Sequence, residues 1–458
     1  MYVALRLLLI AILVYVPNQT QFPAEFEVKG FNIINVLMLL TMLTAWMQRD
    51  RLRAMSAGTA PAPTPLAGSF KFIFAVLVLS YCIGQVYDSS EWANDLTALK
   101  NIILFMLLYF LFFHSVRDLK TIRLMFVVIL LVTFMASFQG LRQALDYGIA
   151  AYNETRRVAA PFGWSYTNAN RSAVFFTIFL PLFASVGLFY KEHKWVRVLS
   201  FGCVGLGIFV IFFTYSRQAY FIVALLALLL TLRKSIFIAA LVAVALVTFP
   251  YWAPETAVAR LESTTQGEQS SSSSPPPKEG EPEGKYDEST ESRFIIWEGA
   301  AQLIAERPWG IGLNHFKREI GTYAPRYKGM DAHNNYVLFT TEAGILGTIS
   351  MVNLLIGLVL LGRRVEKSDS SEHARILGVG FTFASIAVCL GSIYGSRFFD
   401  GDVMGNYWAL AALAARYSVL PREARVASPS PTPTPTPDPR AGLDPRAQPL
   451  GAARRNSS

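Results

Sequence analysis

Two arginines and one histidine carry most of the chemistry that the sequence offers. Arg217 lies in a break of a few residues between two long apolar segments, where a cation is costly unless it meets an anion. Arg293 opens a later helical stretch, and His333 follows Asp331 just before another apolar segment. Arginine donates two parallel hydrogen bonds to a phosphate, and histidine is the commonest general base near neutral pH. Together the three residues predict an anion site with a base beside it.

Further polar residues extend this candidate site. Three arginines add positive charge to an upstream loop, where a phospholipid contact is as plausible as a substrate contact: Arg156, Arg157 and Arg171. Asn334 and Asn335 adjoin His333, and we expect them to orient its ring and to tune its pKa. The alternatives are an Arg217 that only anchors a helix end, and a His333 that lies in a loop without a chemical role.

Most of the chain is too apolar for a water-soluble domain. Of 458 residues, 53% are hydrophobic and 16% are charged, and the mean hydropathy is +0.36. The apolar blocks are long enough to cross a hydrocarbon layer of about 30 Å as helices, and they lack the alternation typical of membrane strands. The sequence predicts an all-α polytopic membrane protein with about twelve transmembrane helices and one large outer loop carrying short amphipathic helices. The predicted spans are residues 2–16, 31–47, 69–87, 97–114, 121–138, 172–190, 197–214, 218–232, 235–252, 336–362, 376–394 and 404–418.

Basic residues in the short loops indicate how these spans are oriented. Alternate loops carry basic clusters, for example around Arg51, whereas the opposite loops carry acidic residues, for example around Asp88. Because basic loops stay in the cytoplasm, we expect both termini there and the loops 139–171 and 253–335 on the outer face. The net charge of +9 follows mainly from this topology and gives no reason to expect a nucleic-acid partner.

The chain divides into four parts along the sequence. Residues 1–252 hold the first nine predicted spans, residues 253–335 form the large outer loop, and residues 336–418 hold the last three spans. Within the large loop, residues 264–289 are rich in Ser, Pro and Glu, a composition that predicts disorder. The Pro/Thr-rich end, residues 419–458, is likewise expected to be a disordered cytoplasmic tail.

One amphipathic helix is predicted in the large loop, over residues 293–306. Phe294, Trp297, Ala301 and Ile304 recur there at helical spacing, and a proline ends the run. We expect this helix to lie on the outer face of the membrane.

A metal or cofactor site is poorly supported by the sequence. The outer loops hold no pair of histidines at metal-ligand spacing, and no phosphate-binding or dinucleotide-binding glycine motif is present. The three cysteines, Cys82, Cys203 and Cys389, all fall in apolar spans. We therefore expect an enzyme with this sequence to work through arginine and histidine, without a cofactor.

Several of these residues stand in an order that resembles the O-antigen ligase and polymerase superfamily. The ordered elements are Ser216-Arg217, Arg293 to Trp297, Glu306 to Gly312, His333 to Tyr336 and Glu342 to Gly347. Further upstream, Gly163 to Asn170 is similar to the family's Asn-Pro-Asn element, with Ala169 where proline is usual. The resemblance runs from about residue 156 to about residue 350.

The resemblance implies a metal-independent glycosyltransferase of the bacterial inner membrane, surrounded by membrane lipids. Such enzymes transfer a glycan from undecaprenyl diphosphate to a hydroxyl on the periplasmic face, and the acceptor is a lipid A core, a lipid-linked glycan or a protein. The family's essential residues correspond to Arg217, Arg293 and His333. Substrate contacts are expected from Arg156, Arg157, Asn168, Asn170, Arg171, Gly310, Gly312 and Asn334.

Two other functions stay open at this point. A polysaccharide polymerase needs the same leaving group, base and anion site as an O-antigen ligase, and differs only in its acceptor pocket. An anionic-lipid transporter would be expected to show internal repeats, charged residues in mid-span and paired broken helices. The sequence shows no repeat and almost no mid-span charge, which favours the enzyme.

Overall fold

The computed structural model describes residues 2–22, 32–54, 63–148, 153, 155–262 and 288–420, which form helices joined by loops. The helices of the first part are α1 (Tyr2–Tyr15), α2 (Ile33–Met47), α3 (Arg49–Ala54), α4 (Ala67–Tyr87), α5 (Trp92–Ser115), α6 (Leu119–Tyr147), α7 (Ala169–Phe189), α8 (Lys194–Thr214), α9 (Arg217–Leu232), α10 (Ile236–Val247), α11 (Phe249–Trp252) and α12 (Glu255–Glu262). Those of the second part are α13 (Glu288–Glu306), α14 (Phe316–Tyr323), α15 (Asn335–Glu366), α16 (Glu372–Tyr394) and α17 (Gly401–Val419). The disorder predicted for residues 264–289 falls, up to residue 287, outside the described residues, as does the predicted tail from residue 421 onward.

Helices occupy every predicted span, but they differ in length. Within the described residues, eight helices are long and apolar enough to cross a membrane: α1 with the helical turn that follows it, α4, α5, α6, α7, α8, α15 and α16. Three further apolar helices, α2, α9 and α10, are shorter. The all-α membrane architecture is thus confirmed, whereas the predicted number of twelve crossings is not.

The centre of the bundle is formed by α7, α16 and α17, which pack against one another. Helix α17 is buried from Val403 to Tyr417, and its alanine-rich middle allows neighbouring helices to approach closely. Trp408 is 1% exposed and packs edge to face against Phe398. The outer helices instead expose large apolar side chains, as expected for surfaces that face lipid; Phe237 of α10 is 70% exposed.

Helix α15 contains a sharp reversal at Gly344. The φ of Gly344 is 68°, a value that glycine adopts readily because it lacks a Cβ. The hydroxyls of Thr340 and Thr348 are hydrogen-bonded to each other, although eight residues of straight helix would separate them by about 12 Å. The chain therefore runs along a short helix, residues 335–343, and returns in the opposite direction along a long one, residues 345–366. The predicted span 336–362 thus joins two antiparallel pieces.

The loop after α13 satisfies backbone groups that this reversal leaves without a helical partner. Ile311 and Gly312 donate their N–H groups to the carbonyls of Thr341 and Glu342, at 2.9 and 3.0 Å. The hydroxyl of Ser80 on α4 also donates to the Glu342 carbonyl, at 2.9 Å. Irregular backbone within a membrane protein is tolerated only where protein groups or water satisfy it. The loop and the reversed helix therefore form one structural unit.

Helices α13 and α14 pack beside α15 and share a small core. Ile296, Ala300 and Leu303 on α13 form this core with Phe316 of α14. The helix predicted over residues 293–306 is therefore present, but a neighbouring stripe of side chains does the packing. Of the predicted stripe, Trp297 packs against this core, whereas Phe294 is 52% exposed.

A buried charged network fixes the beginning of α14 to α5. Asp95 is fully buried and accepts hydrogen bonds from Asn314 at 2.9 Å and from Arg318 at 2.6 Å. His315, which is 1% exposed, holds its Nε2 3.1 Å from the same carboxylate. Breaking such a buried network by removing one partner costs about 3–5 kcal/mol. The network therefore determines where the loop before α14 docks.

Candidate functional site

His333 lies at the turn that leads into the short helix of α15. Its φ of 50° is in the left-handed region, which costs a residue with a Cβ about 1–2 kcal/mol, and such strain is concentrated at functional sites. Its backbone N–H donates to Asp331 Oδ1 at 3.4 Å, and the preceding carbonyl, of Ala332, accepts a hydrogen bond from Trp297 Nε1 at 2.7 Å. The position of His333 is thus fixed by its own loop and by α13.

Burial lowers the pKa of His333 below its ordinary value. The neighbouring Asp331 opposes this shift in the pKa, while the positive charges of Arg293, Arg397 and Lys317 add to it. An imidazole with a lowered pKa is neutral near pH 7, which is the form that accepts a proton. The structure therefore brings a base and three cations together, two of which the sequence had not indicated.

The two asparagines after His333 support the helix that follows. Asn334 Oδ1 accepts hydrogen bonds from the N–H groups of Tyr336 and Val337, at 2.8 and 3.1 Å, so Asn334 caps this helix. Asn335 Nδ2 donates to the carbonyl of Gly395 at 2.9 Å. That bond holds the start of the short helix against the end of α16. A substrate contact of Asn334 stays a prediction.

Arg217 is the first residue of α9 and follows a tight turn. Tyr215 ends α8 with a left-handed φ of 50°, and the chain then enters α9 directly at Arg217. Because a helix N-terminus carries positive potential, an arginine there reinforces an end that attracts anions. The next residue, Gln218, has its Nε2 within 3.9 Å of the place where a Cβ on Gly395 would lie. The turn with Arg217 therefore adjoins the loop that carries Arg397.

Arg157 ties the upstream loop to the same turn. It donates from Nε to the carbonyl of Thr214 at 2.9 Å, and from a terminal nitrogen to Asn170 Oδ1 at 3.0 Å. Asn168 donates to a carbonyl of its own loop at 2.9 Å, and Arg156 is exposed. Among the predicted binding residues of this loop, Arg157 and Asn170 thus lie closest to the turn before Arg217.

Arg171, in the first turn of α7, belongs to an ion network that includes Arg397. Arg171 lies 3.3 Å from Asp400 and 3.4 Å from Asp402. Asp400 in turn lies 2.9 Å from Arg397. Through this shared carboxylate the beginnings of α7 and α17 hold Arg397 in place. Arg171 therefore helps to hold a cation of the site through Asp400. Its contact with a substrate stays a prediction.

The segment that contains Arg217, Arg293 and His333 is similar to a known protein family. Residues 201–352 match the family model described as O-antigen ligase. The chain carries an O-antigen ligase domain. The resemblance inferred from the ordered motifs is thus confirmed over these residues. No curated protein matches the chain.

The O-antigen ligase domain does not hold the whole of the site. Arg217, Arg293 and His333 fall within the matched residues, whereas Arg157, Arg171 and Arg397 fall outside them. Arg157 nevertheless bonds to the domain at Thr214. The loop before α7, the first turn of α7 and the loop between α16 and α17 thus add cations to the candidate site, whose histidine and first two arginines belong to the domain.

Arg397 is the residue that sequence reasoning missed. It lies between α16 and α17, in a short loop that also contains Asp400, and acidic residues there had indicated only an outer loop. The sequence did contain a signal for it: Arg397 is an arginine in an outer loop, where basic residues are scarce. The same reasoning had identified Arg217 as a candidate. Its contribution to the site follows from its charge acting on His333.

Three buried side-chain oxygens around Gly395 have no hydrogen-bond partner among the described residues: Gln218 Oε1, Asn335 Oδ1 and Ser396 Oγ. Buried polar atoms in folded proteins are normally paired, so unpaired ones at a candidate site call for an explanation. All three flank the loop that carries Arg397.

Gly310 and Gly312 have a packing role in the structure. A Cβ on Gly310 would lie 2.4 Å from the Glu342 carbonyl oxygen, and one on Gly312 would lie 2.2 Å from the Cα of Gly84. Both residues also have positive φ, of 98° and 108°. These glycines allow the loop to contact the reversed helix and α4. Contact of Gly310 and Gly312 with the substrate stays a prediction.

Replacing Gly312 with alanine is expected to destabilise the fold. The substitution combines left-handed strain of about 1–2 kcal/mol with overpacking of about 1–3 kcal/mol. Thermal unfolding of the purified protein measures the effect. Gly148→Ala is the matched control, because Gly148 has a φ of 83° but no atom of the described residues within 4 Å of the place where its Cβ would lie. Equal melting temperatures for the two variants would contradict the packing role of Gly312.

Proposed function

We propose that the protein transfers a glycan from undecaprenyl diphosphate to an acceptor hydroxyl, in the manner of an O-antigen ligase acting on a lipid A core. The observation that carries this proposal is the neutral, half-buried His333 with Arg293 and Arg397 acting on its ring, inside a domain of the O-antigen ligase family. A base beside several arginines matches the needs of a reaction that deprotonates a hydroxyl and releases a diphosphate.

In the proposed mechanism the arginines bind the diphosphate of the donor. Arg217 and Arg293 donate to its oxygens, and Arg397 adds a third positive charge on the side of α16 and α17. As the bond between the anomeric carbon and the diphosphate breaks, negative charge grows on the leaving oxygen, and fixed cations in a dehydrated site stabilise it strongly. The arginines thereby take the part that a divalent cation plays in other diphosphate-releasing enzymes.

His333 is the general base in this mechanism. Its neutral imidazole accepts the proton of the acceptor hydroxyl while the hydroxyl oxygen attacks the anomeric carbon from the side opposite the leaving group. One bond forms as the other breaks, so the configuration at the anomeric carbon is inverted.

The proposed location is the bacterial inner membrane, with the site on the periplasmic face and both termini in the cytoplasm. This orientation rests on the basic loops at the opposite ends of the helices. The starts of α7, α9 and α17 all lie at the end of the bundle that carries His333. Several helix N-termini at one end of the bundle create a positive potential suited to a diphosphate.

Transfer by the purified full-length protein tests the proposed function. The donor is a labelled glycan on undecaprenyl diphosphate, and lipid A core, protein and unlabelled lipid-linked glycan are offered as acceptors in the presence of a chelator. Label on lipid A core supports the ligase, and longer lipid-linked chains identify a polymerase instead. Label that crosses a vesicle membrane without forming a new bond would identify a transporter and contradict the proposal.

The dependence of activity on pH is expected to reflect the lowered pKa of His333. Only the neutral ring accepts a proton, so kcat/KM is full above this pKa and is lost as the pH falls through it. Because burial lowers the pKa, the acid limb of kcat/KM should lie below the ordinary histidine value of about 6.5. Asp331 opposes the shift, so Asp331→Asn should move the limb further down. An acid limb above about 6.5 would contradict this assignment.

A further inference from the structure

One peptide unit leads into His333, and both of its polar atoms are engaged. Its carbonyl, on Ala332, accepts a hydrogen bond from Trp297 Nε1 at 2.7 Å, and its N–H, on His333, donates to Asp331 Oδ1 at 3.4 Å. A peptide unit is planar, so fixing its two polar atoms fixes the orientation in which the chain enters His333. Ala332 is fully buried, so its carbonyl would be costly to leave without a partner. The direction of the His333 side chain therefore depends on Trp297.

Trp297 is itself held by α13 and by the small core beside it. Its ring packs against the cluster that contains Ile296 and Ala300, and Phe294 meets it edge to face, with the ring centroids 5.9 Å apart. A tryptophan ring in such a position has an apolar body against the core and a single N–H group for a polar partner. The ring thus forms a rigid arm from α13 to the loop before His333.

The same helix carries Arg293, which is proposed to bind the diphosphate. Arg293 precedes Trp297 by four positions, so the two residues lie one turn apart on the same side of α13. The positive charge of Arg293 also acts on the ring of His333. One helix therefore carries both the arginine and the group that holds the histidine, and a regular helix keeps the spacing between them constant.

We propose that Trp297 is a positioning residue, whose ring N–H sets the place of His333 relative to Arg293. This role rests on the proposed function and adds to it a residue that acts through the base. A general base has to lie within hydrogen-bond reach of the acceptor hydroxyl while the arginine binds the diphosphate, so the spacing of the two determines the rate. The N–H of Trp297 is therefore needed as well as the volume of its ring.

The first test removes the N–H and keeps the ring. Replacing Trp297 with benzothienylalanine, in which sulfur takes the place of the ring N–H, is expected to lower kcat about tenfold to a hundredfold, because misplacing a reacting group by about 1 Å has an effect of this size. The KM of the donor should change little, since Arg293 stays on α13. Trp195→Phe is the matched control, since Trp195 is 83% exposed on α8. The original kcat in the benzothienylalanine protein would assign Trp297 to packing alone and overturn the proposal.

The second test separates positioning from folding. In His333→Ala the base is gone, so its placement no longer matters, and the same replacement of Trp297 should leave kcat where His333→Ala alone puts it. Effects of residues that act as one unit are not additive. A further loss of kcat of the same size in the combined variant would mean that Trp297 acts independently of His333, which would sink the positioning role.

The third test needs no transfer of glycan. The ring of His333 is titrated by NMR in protein with labelled histidine, and its resonance is assigned by its loss in His333→Ala. Without the Trp297 N–H the loop loosens, so the ring is less buried and further from Arg293, and both changes raise the pKa of His333 toward the ordinary value of about 6.5. An unchanged pKa would overturn the positioning role and leave the proposed function standing. A raised pKa in a protein that transfers no glycan would leave the positioning role standing while the proposed function fails.

Discussion

Replacing His333 with alanine is expected to lower kcat by about a hundredfold to ten-thousandfold, the range that a positioned general base contributes. The acceptor hydroxyl then loses the group that takes its proton, while the arginines still bind the donor. The KM of the polyprenyl-diphosphate donor should therefore change much less than kcat. Steady-state transfer with labelled donor measures both constants.

A loss of activity by His333→Ala is informative only if the protein remains folded. The variant should insert, accumulate and unfold thermally much like the original protein, because alanine keeps the Cβ and so adds no strain to the left-handed turn. His193→Ala is the matched control, since His193 is an exposed residue that precedes α8. Activity near that of the original protein in His333→Ala would remove His333 from the mechanism.

Replacing Arg293 or Arg217 with alanine is expected to lower kcat by about a hundredfold to a thousandfold, as does removal of one group that stabilises a developing oxyanion. Lysine at either position should restore only part of the rate, because it keeps the charge but cannot donate two parallel hydrogen bonds. Single-turnover transfer at saturating donor measures this loss apart from donor binding.

Arg142→Ala is the control for the arginine variants. The Arg142 side chain is 77% exposed near the end of α6 and pairs with Asp146 one helical turn away. Such an exposed pair contributes little to stability, so this variant should transfer glycan at the original rate. Full recovery of activity in Arg293→Lys would show that charge alone is needed, which would contradict a role in bidentate phosphate binding.

The positions of the helices could be predicted from the sequence because lipid imposes a simple requirement. A segment that crosses the membrane has to be apolar for about 20 residues, and that property is visible in any window of the sequence. Arg217, Arg293 and His333 were also visible, because polar residues next to such segments are rare. The matched O-antigen ligase domain covers all three.

The reversal at Gly344 could not be predicted in this way. Residues on both sides of it are apolar, so the pattern reads as one continuous span, and a glycine within an apolar helix is common in membrane proteins. Its positive φ follows from the loop that packs on it, with Pro308 and Trp309 near its Cα. Arg397 was missed for a similar reason, since its role depends on which helix ends meet in space.

The reversed helix also determines the order in which the protein can be assembled. Residues 345–366 can insert as an ordinary membrane helix, but the carbonyls of Thr341 and Glu342 find their partners only in the loop after α13. That loop is itself held by the buried contact of His315 with Asp95 on α5. His333 thus reaches its place only when distant parts of the chain have come together. If the proposed mechanism is correct, a chain that is inserted but not fully assembled has its membrane helices but lacks the proposed base in its place, and is therefore inactive.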